Sequence, residues 1–152
     1  MAKSTSVASR FHRGLLAPRC WPTWLLVGIW WLVVQLPYPV LLTLGRLLGW
    51  LLYLIPSERR AIALRNLELC FPELSDRQRR RLARANFVSL GIALFETGMA
   101  WWWPRWRFMR LIEVVGLENV EALKGQGIML LGAHFTTLEV GGAAIAGTLS
   151  MD

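Results

Sequence analysis

The longest apolar stretch of the chain lies near its amino end. Residues 20–56 contain a single charged side chain, Arg46. Pro37 and Pro39 within this stretch lack backbone donors and break any continuous helix. Each half would then be about 24 Å long, short of a hydrocarbon core of about 30 Å. The pattern predicts a retained membrane segment, and two forms stay open: one tilted amino-terminal membrane helix, or a broken helical hairpin.

The segment after the apolar stretch has helical spacing and clear helix signals. Ser57 begins a short helix that Phe71-Pro72 ends. Ser75 and Gln78 have the spacing of a capping box, which predicts the start of a longer helix over about 76–103, closed by Pro104.

Beyond residue 110 the pattern changes to short alternating runs. LIEVVG (111–116) predicts a strand and LENVEAL (117–123) a short helix, and GQG (125–127) predicts a turn. Residues 128–133 predict a second strand and residues 138–149 a helix. This βαβα order predicts an α/β fold, with the first two strands of its sheet in this chain.

Composition and charge separate this chain from ordinary soluble domains. It has 152 residues, 55% of them hydrophobic, nine tryptophans and a net charge of +7. Residues 1–57 contain five basic residues and no acidic one (Lys3, Arg10, Arg13, Arg19 and Arg46). Because the excess charge lies beside the most apolar segment, it favours an anionic membrane surface over nucleic acid as the partner. For the arginines of residues 77–84, a solvated face or contact with lipid headgroups is likewise favoured over a nucleic-acid patch.

Tryptophans and arginines are interleaved in AWWWPRWRFMR (100–110). Indole rings beside arginines are typical of the bilayer interface, which predicts a membrane anchor here. The predicted interface residues are Trp21, Trp24, Trp101, Trp102, Trp103, Trp106, Arg105 and Arg107. The alternative is that these tryptophans pack in a protein core.

One candidate catalytic pair stands in IMLLGAHFTTLEVGG (128–142). His134 follows the second predicted strand, and Glu139 begins the last predicted helix. An imidazole can remove the proton of an acceptor hydroxyl, while a carboxylate on its other nitrogen fixes the tautomer and stabilises the imidazolium. The alternative is a histidine that only hydrogen-bonds at a strand end while Glu139 is solvated. Cys20 and Cys70 lack metal-ligand spacing, so we expect free thiols and no metal site.

Several segments together resemble the lipid A biosynthesis lauroyl (late) acyltransferases of Gram-negative bacteria, within the glycerolipid acyltransferase superfamily. They are WPTWLLVGIWWLVVQLPYPV, RNLELCFPELSDRQRRRL, NFVSLGIALFETGMAWWWP, VVGLENVEAL and LLGAHFTTLEVGG. The resemblance implies that His134 and Glu139 are the catalytic pair of the family's HxxxxE/D motif. It implies transfer of a fatty acyl chain, typically laurate, from acyl carrier protein to a hydroxyl of Kdo2-lipid IVA, with no cofactor or metal.

The resemblance also implies a location and, together with the residue pattern, a domain order. The location is the bacterial inner membrane, with the catalytic part on the cytoplasmic side. The parts are a basic flexible arm (1–19), a membrane segment (20–56) and the amino-terminal, incomplete part of the catalytic domain (57–152). We expect the 152-residue product by itself to be a truncated, inactive fragment. The alternative function is a non-catalytic, membrane-anchored module that binds lipid or a partner.

Overall fold

The computed structural model describes residues 13–123, 125–129, 131–133 and 135–148, and it is helical where it has regular structure. The α-helices are α1 (Trp21–Val34), α2 (Tyr38–Leu54), α3 (Glu58–Cys70), α4 (Asp76–Trp102), α5 (Arg105–Phe108), α6 (Leu117–Glu121) and α7 (Leu138–Thr148). Short 3₁₀ turns cover Arg13–Leu16, Pro18–Cys20 and Met109–Leu111. The helix signals in the sequence are therefore confirmed, including the break around Pro37 and the capping box that begins α4.

The predicted α/β fold is wrong, because none of the described residues forms a β-strand. In the two segments expected as strands, residues 112–116, 128–129 and 131–133 have irregular backbone. Their apolar side chains include exposed ones: Val115 is 85% exposed and Leu131 is 99% exposed. An apolar run indicates only that a segment can be buried, whereas a strand also needs a neighbour to complete its hydrogen bonds. The helix expected over 138–149 is confirmed as α7.

Of the two forms left open for the membrane segment, the single membrane helix is wrong. Within the described ranges, no helix is both long enough and apolar enough to cross a bilayer by itself. Only α2 and α3 taken together meet these criteria, and they are bent by 88° relative to each other. Nor do α1 and α2 form a separate hairpin, since α2 packs mainly against α4 and only sparsely against α1. The break at Pro37 lets α2 pair with a helix about 50 residues further along the chain.

Helices α2 and α4 pack so closely that side chains are excluded from their crossing point. Gly45 and Gly49 on α2 face Gly91 on α4, and all three are buried. A β-carbon added to Gly49 would lie 2.5 Å from the Cα of Val88, and one added to Gly45 would lie 2.7 Å from the Cα of Ile92. Because both obstacles are backbone atoms, only glycine is compatible with this approach.

A compact core forms where the carboxyl-terminal end of α1 meets the end of α4. Its buried members are Val34, Leu41, Met99, Trp103 and Phe108. Trp103 donates its indole N–H to the carbonyl of Val34 at 2.7 Å. Arg107 lies over the Trp103 ring and donates to the carbonyls of Gln35 and Leu36, each at 2.9 Å. These bonds satisfy the free carbonyls at the end of α1, where a cation is also favoured by the helix dipole.

A second contact between α2 and α4 is a hydrogen bond from a phenol to a carboxylate. The Tyr38 hydroxyl donates to Glu96 Oε1 at 2.9 Å. Burial and, after it, the hydrogen bond to Glu96 together raise the pKa of Tyr38 from 10.0 to about 12.

This pKa predicts a loss of stability in strong alkali. An unfolded chain ionises its tyrosines near pH 10, whereas the folded protein keeps the Tyr38 proton up to about pH 12. The unfolded state therefore binds fewer protons in this window, so stability is full below pH 10 and falls as the pH rises through it. Urea unfolding across this window should show a smaller decline for Tyr38→Phe. An equal decline in both proteins would contradict the assignment.

Candidate active site

His134, the predicted base, lies outside the described residues. Its predicted partner Glu139 is described, as the second residue of α7. A carboxylate in the first turn of a helix is stabilised by the amino-terminal end of the helix dipole. Because His134 is not described, a hydrogen bond between His134 and Glu139 stays a prediction.

The carboxylate of Glu139 receives a hydrogen bond from a helix far away in sequence. Trp101, at the end of α4, donates its indole N–H to Glu139 Oε2 at 3.2 Å. The second oxygen, Oε1, makes no hydrogen bond with the part of the chain that the structure describes. Glu139 thus has one oxygen held by Trp101 and one available to a further donor.

Neighbouring rings hold Trp101 in place. Trp30 on α1 contacts the Trp101 ring edge-on, with centroids 5.7 Å apart, and contacts Trp102 at 4.7 Å. Trp101 and Trp102 are themselves 6.1 Å apart and nearly perpendicular. Edge-to-face packing of this kind stabilises an aromatic cluster and limits ring rotation. The indole that holds Glu139 is therefore fixed by contacts from both α1 and α4.

Glu139 opens onto a groove between α4 and α7 of about 480 Å³. The lining is made mostly of small or apolar residues, namely Ala100, Trp101, Leu138, Glu139, Gly142, Ala143 and Ala146. Gly142 has nothing within 4 Å of the place where a β-carbon would stand. A carboxylate beside an apolar groove can orient a base and face an aliphatic chain.

The structure divides the predicted membrane-interface residues into two groups. Trp103 is buried and Trp102 is half-buried, and Arg107 donates a hydrogen bond to the carbonyl of Gln35 at the end of α1. Trp101 and Trp106 are 58% and 62% exposed. Trp21 and Trp24 are also exposed, at the start of α1, and Arg105 donates to the carbonyl of Gly147 on α7. Contact of the exposed members with a membrane stays a prediction.

The contact between Trp101 and Glu139 was not predicted from the sequence. The two residues are 38 positions apart, and Trp101 stands in a segment whose composition indicates a lipid interface. Nothing in the local pattern distinguishes an indole that faces lipid from one that donates to a carboxylate. Among the described residues, no three histidine, cysteine, aspartate or glutamate side chains come together as a metal site.

Comparison with known proteins identifies relatives of the whole described region. Residues 8–149 match the model of the bacterial lipid A biosynthesis acyltransferase family. The chain is 52% identical over 134 residues to the lipid A biosynthesis lauroyltransferase of Escherichia coli strain K12, covering 87% of this chain. It is 47% identical to the palmitoleoyltransferase of the same strain, over 88% of this chain. A Haemophilus influenzae lipid A biosynthesis acyltransferase is 44% identical over 90% of this chain.

The matched region is the same fraction of each of these relatives. The chain spans about 44% of the length of the three proteins. No solved structure matches it.

Proposed function

Because the chain belongs to the bacterial lipid A biosynthesis acyltransferase family, we propose that it carries the catalytic base of an acyl transfer to a lipid hydroxyl. The acyl chain is a fatty acid, lauroyl by analogy with the 52% identical relative, and the donor is its thioester with acyl carrier protein. The acceptor is a hydroxyl of the lipid A precursor Kdo2-lipid IVA. The observation that carries the proposal is the family match, since it includes both His134 and Glu139.

In the proposed reaction His134 acts as general base and Glu139 positions it. The acceptor oxygen attacks the thioester carbonyl carbon while the imidazole takes the hydroxyl proton. Collapse of the tetrahedral intermediate breaks the C–S bond, and the imidazolium returns the proton to the departing thiolate. Glu139 stabilises the imidazolium through Oε1, while the Trp101 N–H holds Oε2. No metal or bound cofactor takes part in these steps.

The proposed location is the cytoplasmic face of the bacterial inner membrane. Helices α1 and α2 support it, because many of their apolar side chains are exposed, among them Leu25, Leu26, Leu32, Leu47 and Leu54. Exposed apolar patches of this extent are typical of surfaces that contact membranes or other proteins. Both substrates suit this place, since one is a membrane lipid and the other a cytoplasmic carrier protein.

The test is a chimera in which residues 8–149 replace the matching part of the Escherichia coli lauroyltransferase. Both His134 and Glu139 then come from this chain, while the remainder comes from the relative. We expect the chimera, assayed in detergent, to transfer laurate from lauroyl-acyl carrier protein to Kdo2-lipid IVA. A chimera that folds like the parent enzyme by circular dichroism but transfers no laurate would contradict the proposal and favour a lipid- or partner-binding module.

In the same chimera, Trp101→Phe should lower kcat while KM stays unchanged. The substitution keeps an aromatic ring beside Trp30 and Trp102 but removes the N–H that holds Glu139. Loss of one charge-assisted hydrogen bond at an exposed site predicts a decrease of about 3- to 10-fold.

The matched control is Trp106→Phe, since Trp106 is equally exposed and donates no hydrogen bond to the described residues. It should leave kcat unchanged. Equal effects of the two substitutions would show that Trp101 does not position Glu139.

A further inference from the structure

An arginine cluster lies on the first three turns of α4. Arg77, Arg80, Arg81 and Arg84 line an open groove of about 590 Å³ together with Tyr53 and Gln78. No acidic side chain lines it, and none of the four arginines forms a salt bridge within the described ranges. Asp76 is paired with Arg79 and lines a second groove, which Arg80 also borders. We call the first of these the arginine groove.

An apolar stripe on α2 continues the surface of this groove. Tyr53 belongs to both, since it lines the groove and its ring packs against Phe87 of α4 at 5.7 Å. Trp50 lies three residues before Tyr53 and shares its face of α2, so the stripe formed by Leu47, Trp50 and Leu54 approaches the groove at Trp50. They are 51%, 43% and 50% exposed. The arginine groove is therefore bordered by Trp50, and exposed apolar side chains extend from there along α2.

We propose that the arginine groove and this apolar stripe form a docking surface for an anionic phospholipid bilayer. Guanidinium groups bind headgroup phosphates with two parallel hydrogen bonds, while the indole and leucine side chains enter the boundary between headgroups and acyl chains. A nucleic acid or a free phosphate could occupy the groove but would leave the apolar stripe in water. An anionic bilayer offers phosphates to the arginines and an apolar interior to the stripe, whereas a nucleic acid or a free phosphate offers only the phosphates.

The proposal deepens the membrane location proposed above and is separable from catalysis. The chimera is assayed in detergent, where no bilayer is needed, so a failure of membrane docking and a failure of acyl transfer give different results. This surface also differs from the tryptophan-arginine segment 100–110, since none of that segment lines the arginine groove.

The test is flotation of the 152-residue chain, made by cell-free translation, with vesicles of phosphatidylcholine alone or with about 30% phosphatidylglycerol. The variant carries Arg77→Gln and Arg84→Gln, which line only the arginine groove. Each arginine near an anionic surface contributes about fivefold to binding, so the pair should weaken binding to the anionic vesicles about 25-fold. Raising the ionic strength should weaken the unmodified chain and affect the variant less.

The matched control removes the same charge elsewhere, with Arg59→Gln and Arg65→Gln on α3, which line other grooves. It should retain binding to the anionic vesicles within about threefold. All the substituted arginines are exposed. A second groove pair, Arg77→Gln with Arg81→Gln, should reproduce the loss if circular dichroism shows that the first pair perturbs the fold.

Three results would overturn the proposal. The first is an equal loss of vesicle binding in the groove and control pairs, because binding would then depend only on the net charge of the chain. The second is equal binding of the unmodified chain to neutral and anionic vesicles. The third is a groove pair that keeps its vesicle binding but loses binding to a single-stranded oligonucleotide, because the surface would then recognise nucleic acid.

Discussion

Gly91→Ala is expected to lower the free energy of unfolding by about 3 kcal/mol, the upper end of the cost of overpacking. The added methyl group would lie 2.6 Å from the backbone nitrogen of Gly49 and would also overlap the carbonyl oxygen of Gly45. Neither atom belongs to a flexible side chain, so α2 and α4 would have to separate. Because this is the most extensive helix contact among the described residues, the loss should spread over the whole packed unit.

The matched control for this substitution is Gly28→Ala in the interior of α1. A β-carbon there would have nothing within 4 Å. Alanine favours a helix over glycine by about 0.5–1 kcal/mol, so this variant should be slightly more stable than the parent chain. Urea unfolding in mild detergent, followed by circular dichroism, measures both. Equal stability of the two variants would show that α2 and α4 do not pack through their glycines.

The second large effect is on catalysis. In the chimera, His134→Ala should lower kcat by about 10²- to 10⁴-fold, the usual contribution of a positioned general base. KM for the lipid acceptor should change little, because the imidazole acts on the reacting proton and contributes little to lipid binding. Initial rates of laurate transfer at saturating donor, measured over a range of acceptor concentrations, give both kcat and KM.

The control for this substitution is the other histidine of the chain. His12 has Ala17 rather than an acidic residue five positions later, so it lacks the partner that the catalytic pattern requires. His12→Ala should leave kcat unchanged. If the His134→Ala chimera retains the kcat of the parent chimera, His134 is not the catalytic base.

Much of the helical framework could be predicted from local signals. The capping box at Ser75 is present, with its backbone N–H donating to Gln78 Oε1 at 2.8 Å, and α4 ends two residues before Pro104. The helix break around Pro37 also follows from chemistry within a few residues. Such signals depend only on the neighbouring backbone, which is why the sequence alone contains them.

The features that depend on distant partners could not be predicted in this way. The apolar run at 128–133 has the composition of a strand, but composition does not show whether a second strand is available to pair with it. No strand lies beside it among the described residues. Trp101 and Trp103 have the same local surroundings in sequence, but one donates to Glu139 and the other to Val34 in the core. Only the packing of α1, α4 and α7 distinguishes them.

The central claim is that Glu139 acts through His134, and a double-mutant cycle on kcat in the chimera tests it most directly. The cycle compares Glu139→Gln in the parent chimera with Glu139→Gln in the His134→Ala variant. If the carboxylate works by orienting and stabilising the imidazole, Glu139→Gln should lower kcat in the first background and have no further effect in the second. Equal losses in both backgrounds would contradict the account, because the two residues would then act independently.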